Sequence, residues 1–232
     1  MKYQSDSVRR GSAKFLLAVL AAFLCTLCFF AGIFWWSGRD YARVTFDETY
    51  YFLVRDCEDT TASAVSGQIY FSGGAGYLLE RENAVVIACY FRESSANQVR
   101  DTLALKGVEA RVLSLSPPDL ELGGELAAQK ARISANAETL DSCAHVLYDT
   151  ANGLERTEIS QDEARSALRG VIASLKGLCA ENGKGFSRWN AVVLQAVRKG
   201  TEIAEGILFA RDLRYLQTQI CMNVVRIGDY FG

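Results

Sequence analysis

The feature that most constrains this chain is an apolar run from Phe15 to Trp36 that contains no charged residue. At a helical rise of about 1.5 Å per residue, its roughly 22 residues are long enough to cross a hydrocarbon core of about 30 Å. A cleaved signal peptide is the alternative. The run exceeds the usual apolar core of about 7–15 residues, however, and no small-residue cleavage site precedes Trp35. We therefore predict a retained membrane-spanning helix over residues 15–36.

The charges on either side of this run predict its orientation. Four basic residues and one acid, Asp6, precede it; the basic residues are Lys2, Arg9, Arg10 and Lys14. Basic residues near a span are retained on the cytoplasmic side. We therefore expect residues 1–14 to form a cytoplasmic tail and the bulk of the chain to lie outside the cell membrane, as a single-pass protein.

Composition limits what the outer part can be and what it can bind. Half of the 232 residues are hydrophobic and only two are proline, which favours a folded region over a disordered stalk. A net charge of −2 argues against nucleic acid as a partner, because that partner requires basic patches. Five cysteines follow the span, so their odd number excludes a complete set of disulfides; they are Cys57, Cys89, Cys143, Cys179 and Cys221.

Beyond a short polar linker at residues 37–48, the chain shows six elements in the order β-α-β-β-α-β. Apolar alternation predicts strands at Tyr50–Val54, Tyr77–Glu80, Ala84–Phe91 and Val108–Leu115, and helical spacing predicts helices at Thr60–Tyr70 and Ser94–Lys106. This order is typical of a split βαβ sandwich, in which two helices cover one face of a four-stranded sheet.

Residues 49–116 resemble the SPOR family of bacterial cell-envelope domains. Gly-x-Gly-Tyr, from Gly74 to Tyr77, precedes the second strand. Val86 to Phe91 occupies the strand that ends in Gly-Pro-Phe in the family, and the helix around Ala96 ends at Gly107 before the last strand. The resemblance implies a domain that binds peptidoglycan glycan strands stripped of their stem peptides.

The resemblance also implies a glycan site on the face of the sheet that the two helices leave open. The residues expected there are Tyr51, Leu53 and Ile87, with Arg55, Tyr90 and Arg92 at the edge. The tyrosine rings would stack on sugars and the arginines would hold hydroxyls or carboxylates.

The strands leave a second possibility open. If Phe52 and Val54 face the two helices, Tyr51 and Leu53 face the other way, so both faces of the strand are apolar. This pattern is typical of strands buried on both sides. The second face of the sheet is therefore either covered by protein or an apolar glycan platform.

Residues 119–232 are expected to form a helical domain. We predict one helix from about Asp119 to Ala151, a second that begins at a Ser160–Glu163 capping box, and a third from about Ser187 to Ile227. The third would be about 60 Å long, too long for the other two to cover. Its remaining apolar surface would meet the sheet, a second copy of the chain or another protein.

Nothing in the sequence predicts catalysis, a cofactor or a metal site. The single histidine, His145, has Asp141 and Asp149 one turn away on either side, and we interpret it as solvated or paired with a carboxylate. The glycines from Gly73 to Gly76 lack the Lys-Ser/Thr of a phosphate-binding loop. We expect a protein that is not an enzyme.

Together these observations predict an α+β protein with an N-terminal transmembrane helix, a SPOR-like βαββαβ domain and a C-terminal helical region. The expected function is binding of denuded glycan at division or sporulation septa. The alternative is a membrane-anchored scaffold that binds a protein partner, or forms a homo-oligomer through Ser187–Ile227.

Overall fold

The computed structural model describes Thr26 and residues 41–58 and 60–231. The predicted tail, and the predicted span at residues 15–36 apart from Thr26, therefore lie outside the described residues. Within the described ranges, no helix has both the length and the apolar composition that crossing a bilayer requires. The membrane span stays a prediction.

The described residues form an α+β fold with two antiparallel sheets. Its strands are β1 (Tyr41–Val44), β2 (Tyr50–Asp56), β3 (Tyr77–Leu79), β4 (Ala84–Tyr90), β5 (Arg111–Leu115) and β6 (Leu120–Gly123). Its helices are α1 (Ala62–Phe71), α2 (Glu93–Leu105), α3 (Lys130–Glu155), α4 (Gln161–Glu181), α5 (Ser187–Glu205), α6 (Ala210–Val225) and α7 (Gly228–Phe231). Short 3₁₀ turns lie at Glu80–Glu82, Gly124–Gln129 and Lys184–Phe186.

The larger sheet confirms the predicted β-α-β-β-α-β order. Its four strands are arranged β3-β4-β2-β5, and each neighbouring pair is antiparallel. The register between β2 and β4 shifts after Leu53, which pairs with Ala88, whereas Val54 pairs with Val86. Ile87 is therefore the extra residue of a β-bulge.

The Gly-x-Gly-Tyr motif has a steric explanation in the packing of α1 against the sheet. Gly76 has φ +64°, and a Cβ there would lie 2.7 Å from the carbonyl oxygen of Ser66 and 2.8 Å from Cβ of Tyr70. The Ser66 hydroxyl also donates a hydrogen bond to the carbonyl oxygen of Gly76 at 2.5 Å. A side chain at this position would push α1 away from the loop.

The smaller sheet was not predicted. β1 pairs with β6 in antiparallel register, with Tyr41 opposite Gly123 and Val44 opposite Leu120. Residues 41–44 are thus part of a sheet rather than of a polar connector, and the chain after Asp119 starts with a strand rather than a helix. The reason is alternation: Leu120 and Leu122 are buried while Glu121 and Gly123 are exposed, a strand pattern too short to stand out from the helical residues that follow.

The predicted 40-residue helix is wrong: it is two helices, α5 and α6. The chain leaves the helix at Gly206 and re-enters it at Ala210, and α5 and α6 then pack against each other. α3 to α6 therefore form an antiparallel four-helix bundle. The capping box at the start of α4 is confirmed, since the Ser160 side chain accepts a hydrogen bond from the backbone N–H of Glu163 and the Glu163 carboxylate accepts one from the N–H of Ser160.

The bundle covers the second face of the larger sheet. α6 contacts β4 and β3, and the Tyr50 hydroxyl donates a 2.9 Å hydrogen bond to Asp141 on α3. Tyr50, Phe52 and Val54 belong to one buried cluster with the apolar residues of the bundle. Leu53 is also fully buried but lies outside that cluster, on the side covered by α1 and α2. The prediction that both faces of β2 are buried is therefore confirmed. The face expected to meet α1 and α2 meets the bundle instead, and the opposite face meets α1 and α2.

The break between α5 and α6 yields a stability prediction. Leu208 is fully buried in the connector, whereas its neighbour Ile207 is 75% exposed. Leu208→Glu places an unpaired charge in the core and should lower the free energy of unfolding by more than about 4 kcal/mol. Ile207→Glu should change it by less than about 0.5 kcal/mol. Chemical denaturation of both variants tests this, and equal losses would contradict the described break.

A second prediction concerns the glycines at α1. Gly76→Ala should destabilise the fold by at least about 2 kcal/mol, because it combines a left-handed backbone with a close contact to Ser66. Gly67→Ala is the matched control, since Gly67 lies inside α1, a Cβ added there would meet no atom within 4 Å, and alanine favours the helix by about 1 kcal/mol. In thermal unfolding, Gly76→Ala should melt at a lower temperature than the wild type and Gly67→Ala at a higher one.

Candidate functional site

The structure separates the six residues that the resemblance placed in one glycan site. Leu53 has no exposed surface, while Arg55 and Arg92 are exposed and Tyr51 is half-buried. Ile87 and Tyr90 line a common cleft. The sheet has no open face for these residues, because the bundle covers the face that carries Phe52 and Val54 while α1 and α2 cover the face that carries Leu53.

The cleft lies at the edge where the larger sheet meets the bundle, and its volume is about 460 Å³. β4 contributes Ile87, Ala88 and Tyr90, while the loop after α1 contributes residues 72–74. Its walls come from α2, α3 and α6, and their polar residues are Ser95, Gln98, Tyr148, Asn152, Glu155, Arg156 and Arg214. Residues from both halves of the fold are therefore required to form it.

Arg214 holds the two halves of the cleft together. Its guanidinium donates a 2.8 Å hydrogen bond to the carbonyl oxygen of Gly73 and bonds both carboxylate oxygens of Glu155, one of them at 3.2 Å. The Arg214 side chain is only 16% exposed, whereas Glu155 is 55% exposed, so solvent reaches this pair from the Glu155 side. The loop after α1 and the end of α3 are thus both bonded to α6.

An aromatic cluster borders the cleft. The rings of Tyr90 and Tyr148 meet edge to face with centroids 6.1 Å apart, and Tyr148 also meets Phe91 at 5.5 Å. Burial, followed by the neighbouring Tyr148, raises the pKa of Tyr90 to about 12, against a smaller lowering by Arg214. Tyr90 therefore stays protonated and able to donate a hydrogen bond across the ordinary range of pH.

His145 is part of the packing beside this cluster. Its ring stacks on Phe91 with centroids 3.6 Å apart and an interplanar angle of 15°, and its Nε2 lies 3.6 Å from Asp141. Asp149, the other carboxylate considered in the sequence, forms no ion pair with it among the described residues. No group of three possible metal-binding side chains occurs in the described part of the chain.

The groups that line the cleft can form hydrogen bonds and apolar contacts with a ligand. Amide, hydroxyl and guanidinium groups can exchange hydrogen bonds with a polar ligand, and the tyrosines offer apolar surface beside them. Gln98, Asn152, Tyr148 and Arg214 were not predicted from the sequence. They lie on three helices separated by many residues, and no local spacing marks residues that only tertiary packing brings together.

Another cavity is larger, at about 640 Å³, and lies between α4 and α5. Its lining includes Arg165, Arg169 and Lys176. Arg165 is engaged by the fold, since it donates hydrogen bonds to the carbonyl oxygens of Ala204 and Gly206 at the end of α5. This cavity contains none of the residues that the sequence singled out, so we take the smaller cleft as the candidate site.

Comparisons with known proteins do not place the chain in a family. No family model matches it, and no match was found among curated proteins or solved structures. The resemblance to SPOR domains thus rests on the sequence features given above. Its functional consequences remain proposals.

The raised tyrosine pKa values predict alkaline instability. Tyr50, Tyr90 and Tyr230 all have pKa values raised mainly by burial, to about 12 for Tyr90 and Tyr230. The folded state holds these protons more tightly than the unfolded state, whose tyrosines titrate near pH 10. The resulting stability should be complete below about pH 10 and be lost as the pH rises towards about 12.

The Tyr90→Phe variant measures how much Tyr90 contributes to this loss of stability at high pH, because phenylalanine has no proton to lose. Its melting temperature should fall less steeply than that of the wild type between about pH 9 and 11.5. Tyr41→Phe is the control, since Tyr41 is 67% exposed. If the melting temperatures of Tyr90→Phe and the wild type fall equally steeply with pH, the raised pKa of Tyr90 is contradicted.

Proposed function

We propose that the chain is a non-enzymatic, membrane-anchored protein of the bacterial envelope that binds glycan in the cleft between its SPOR-like module and its helical bundle. The observation that carries the proposal is the convergence of Ile87 and Tyr90, two residues suggested by the resemblance, with a set of amide, hydroxyl and guanidinium groups. The proposed surface therefore differs from the open sheet face used in the family.

The composition of the cleft suits a sugar ligand. Tyr90 and Tyr148 provide partly buried rings beside the amides of Gln98 and Asn152, and sugar rings combine apolar C–H faces with hydroxyls that both donate and accept hydrogen bonds. Side-chain amides likewise donate and accept at once. Such a cleft can form hydrogen bonds with the hydroxyl groups of a ligand that carries little charge.

Arg156, at the rim of the cleft, supports a preference for glycan stripped of its stem peptides. When an amidase removes a stem peptide, it leaves a free carboxylate on the sugar. Arg156 lines the cleft and is 69% exposed, and its ion-pair partner Glu158 is 3.9 Å away, a distance typical of a weak surface pair. Arg156 can therefore give up its ion pair with Glu158 and pair with a ligand carboxylate at a small cost in free energy.

A membrane-anchored scaffold is the second candidate function. It is favoured by the coverage of the sheet, which removes the surface that the family uses, and by exposed aromatic residues at one end of the bundle. The continuous helix first expected to mediate self-association is absent from the described residues. Any self-association therefore requires another surface.

Cosedimentation of the full-length protein in mild detergent tests glycan binding. The protein should pellet with amidase-treated peptidoglycan and much less with intact peptidoglycan. Combining Gln98→Ala with Asn152→Ala should weaken retention on the treated material about tenfold, because each lost hydrogen bond contributes roughly 0.5–1.5 kcal/mol.

Asn97→Ala is the matched control, since Asn97 lies beside Gln98 on α2 but does not line the cleft. It should bind like the wild type, and all variants should melt within a few degrees of the wild type. Equal pelleting with both forms of peptidoglycan, or retention unaffected by the double substitution, would refute the proposed cleft.

A further inference from the structure

Two cysteines from distant parts of the chain meet in the core, where the larger sheet packs against the bundle. Cys89 lies on β4 and Cys221 on α6, and neither has more than 1% of its surface exposed. Both belong to the buried cluster that joins the two halves of the fold. The proposed function makes no use of either thiol.

The strand register and the helical turn place the two side chains against each other. Cys89 pairs with Phe52 across β2 and β4, and Phe52 belongs to the face of the sheet that the bundle covers. On α6, Gln217 donates a 3.1 Å hydrogen bond to the carbonyl oxygen of Cys89. Cys221 follows Gln217 by four residues, about one helical turn, and so lies on the same side of α6. That side of α6 packs against β4.

The two thiols are direct neighbours. The Cys221 thiol forms a hydrogen bond with the Cys89 thiol, and burial, followed by this bond, raises the pKa of Cys221 well above its ordinary value. By contrast, burial alone raises the pKa of Cys143 and that of Cys179. Those two cysteines thus have no such thiol neighbour in the described part of the chain.

We propose that Cys89 and Cys221 form a disulfide bond that links the larger sheet to the helical bundle. Disulfides form in oxidising compartments, and the predicted orientation of the span places both residues outside the cell membrane. A disulfide has a sulfur–sulfur distance of about 2.05 Å, which two thiols already in hydrogen-bond contact reach by a small further approach. One such bond also agrees with the odd number of cysteines after the predicted span.

The bond forms by thiol–disulfide exchange with a disulfide-carrying oxidant of the envelope. The thiolate of one cysteine attacks the disulfide of the oxidant, which forms a mixed disulfide and releases one thiol of the oxidant. The thiolate of the other cysteine then attacks the cysteine sulfur of the mixed disulfide and releases the second thiol of the oxidant. Two electrons pass from the cysteines to the oxidant, and the two protons that the cysteines lose balance the two that the oxidant gains.

This exchange precedes the packing of α6 onto the sheet. The attacking species is a thiolate, and full burial leaves almost no thiolate at Cys221 in the folded state. The disulfide therefore forms while α6 is still separate from β4. Once it has formed, the same burial shields it from reductants.

The disulfide stabilises the interface on which the candidate cleft depends. About 130 residues separate the two cysteines, and a crosslink that closes so long a loop strongly restricts the unfolded chain. The inference goes beyond glycan binding and uses only the predicted location outside the membrane. Loss of glycan binding with the disulfide present would remove the proposed function alone, and glycan binding without the disulfide would remove this inference alone.

Peptide mapping of the full-length protein tests the inference. Bacterial cells that produce it are quenched with acid, free thiols are blocked with N-ethylmaleimide in denaturant, and the protein is digested with trypsin without a reductant. Cleavage at the arginines that flank the two cysteines gives peptides 82–92 and 215–226, each with a single cysteine. These peptides should be joined by a disulfide. N-ethylmaleimide on both peptides, or a disulfide from either one to another cysteine, would overturn the inference.

Thermal melting in mild detergent, with and without a dithiol reductant, gives a second readout. The reductant gains access as the chain unfolds and should lower the melting temperature of the wild type by at least about 5 °C. It should not change that of the double variant Cys89→Ala, Cys221→Ala. Cys179→Ala is the matched control, since it keeps the pair and should respond like the wild type. A wild type that melts equally with and without reductant, or a Cys179→Ala variant that no longer responds, would contradict the assigned pair.

Discussion

The packing of α6 between α3 and the larger sheet is the interaction on which the rest of the structure depends. α6 is the helix that contacts both, and ten of its residues are buried. Gln217 on this helix is buried and donates a 3.1 Å hydrogen bond to the carbonyl oxygen of Cys89 on β4, while Arg214 fixes Gly73 and Glu155. Without α6, the apolar face of the sheet and the apolar side of the bundle would both be exposed to water, at a cost of about 25 cal/mol per Å².

This burial decides where a ligand can bind. A split βαβ domain standing alone has one face covered by its two helices and one face free. Here the free face carries Tyr50, Phe52 and Val54, and it forms one core with the bundle. The surface left for recognition is the boundary between the two halves, where Ile87 and Tyr90 meet residues of α2, α3 and α6. Binding there would couple the module to the bundle, because the site contains both.

The same packing separates two ends of the molecule. The β1 and β6 strands lie at the end from which the chain leads to the predicted span, and the exposed rings of Phe71 and Phe209 lie at the other.

The sequence by itself determined the elements of the module, the capping box at Ser160 and the burial of β2 on both sides, because these depend on period, on caps and on alternation, which are local. Tertiary structure decided the rest. Gly206 to Phe209 contain no proline, so the helical period appeared continuous, and only packing of α6 against α3 shows why the chain turns there. The partners of Tyr90 that come from the bundle, such as Tyr148, Asn152 and Arg214, are more than fifty residues away, and no local pattern records a contact between distant helices. Which face of the sheet the bundle covers was likewise open, since Phe52 and Leu53 are equally apolar, and it is fixed only by the shape that the whole core can fill.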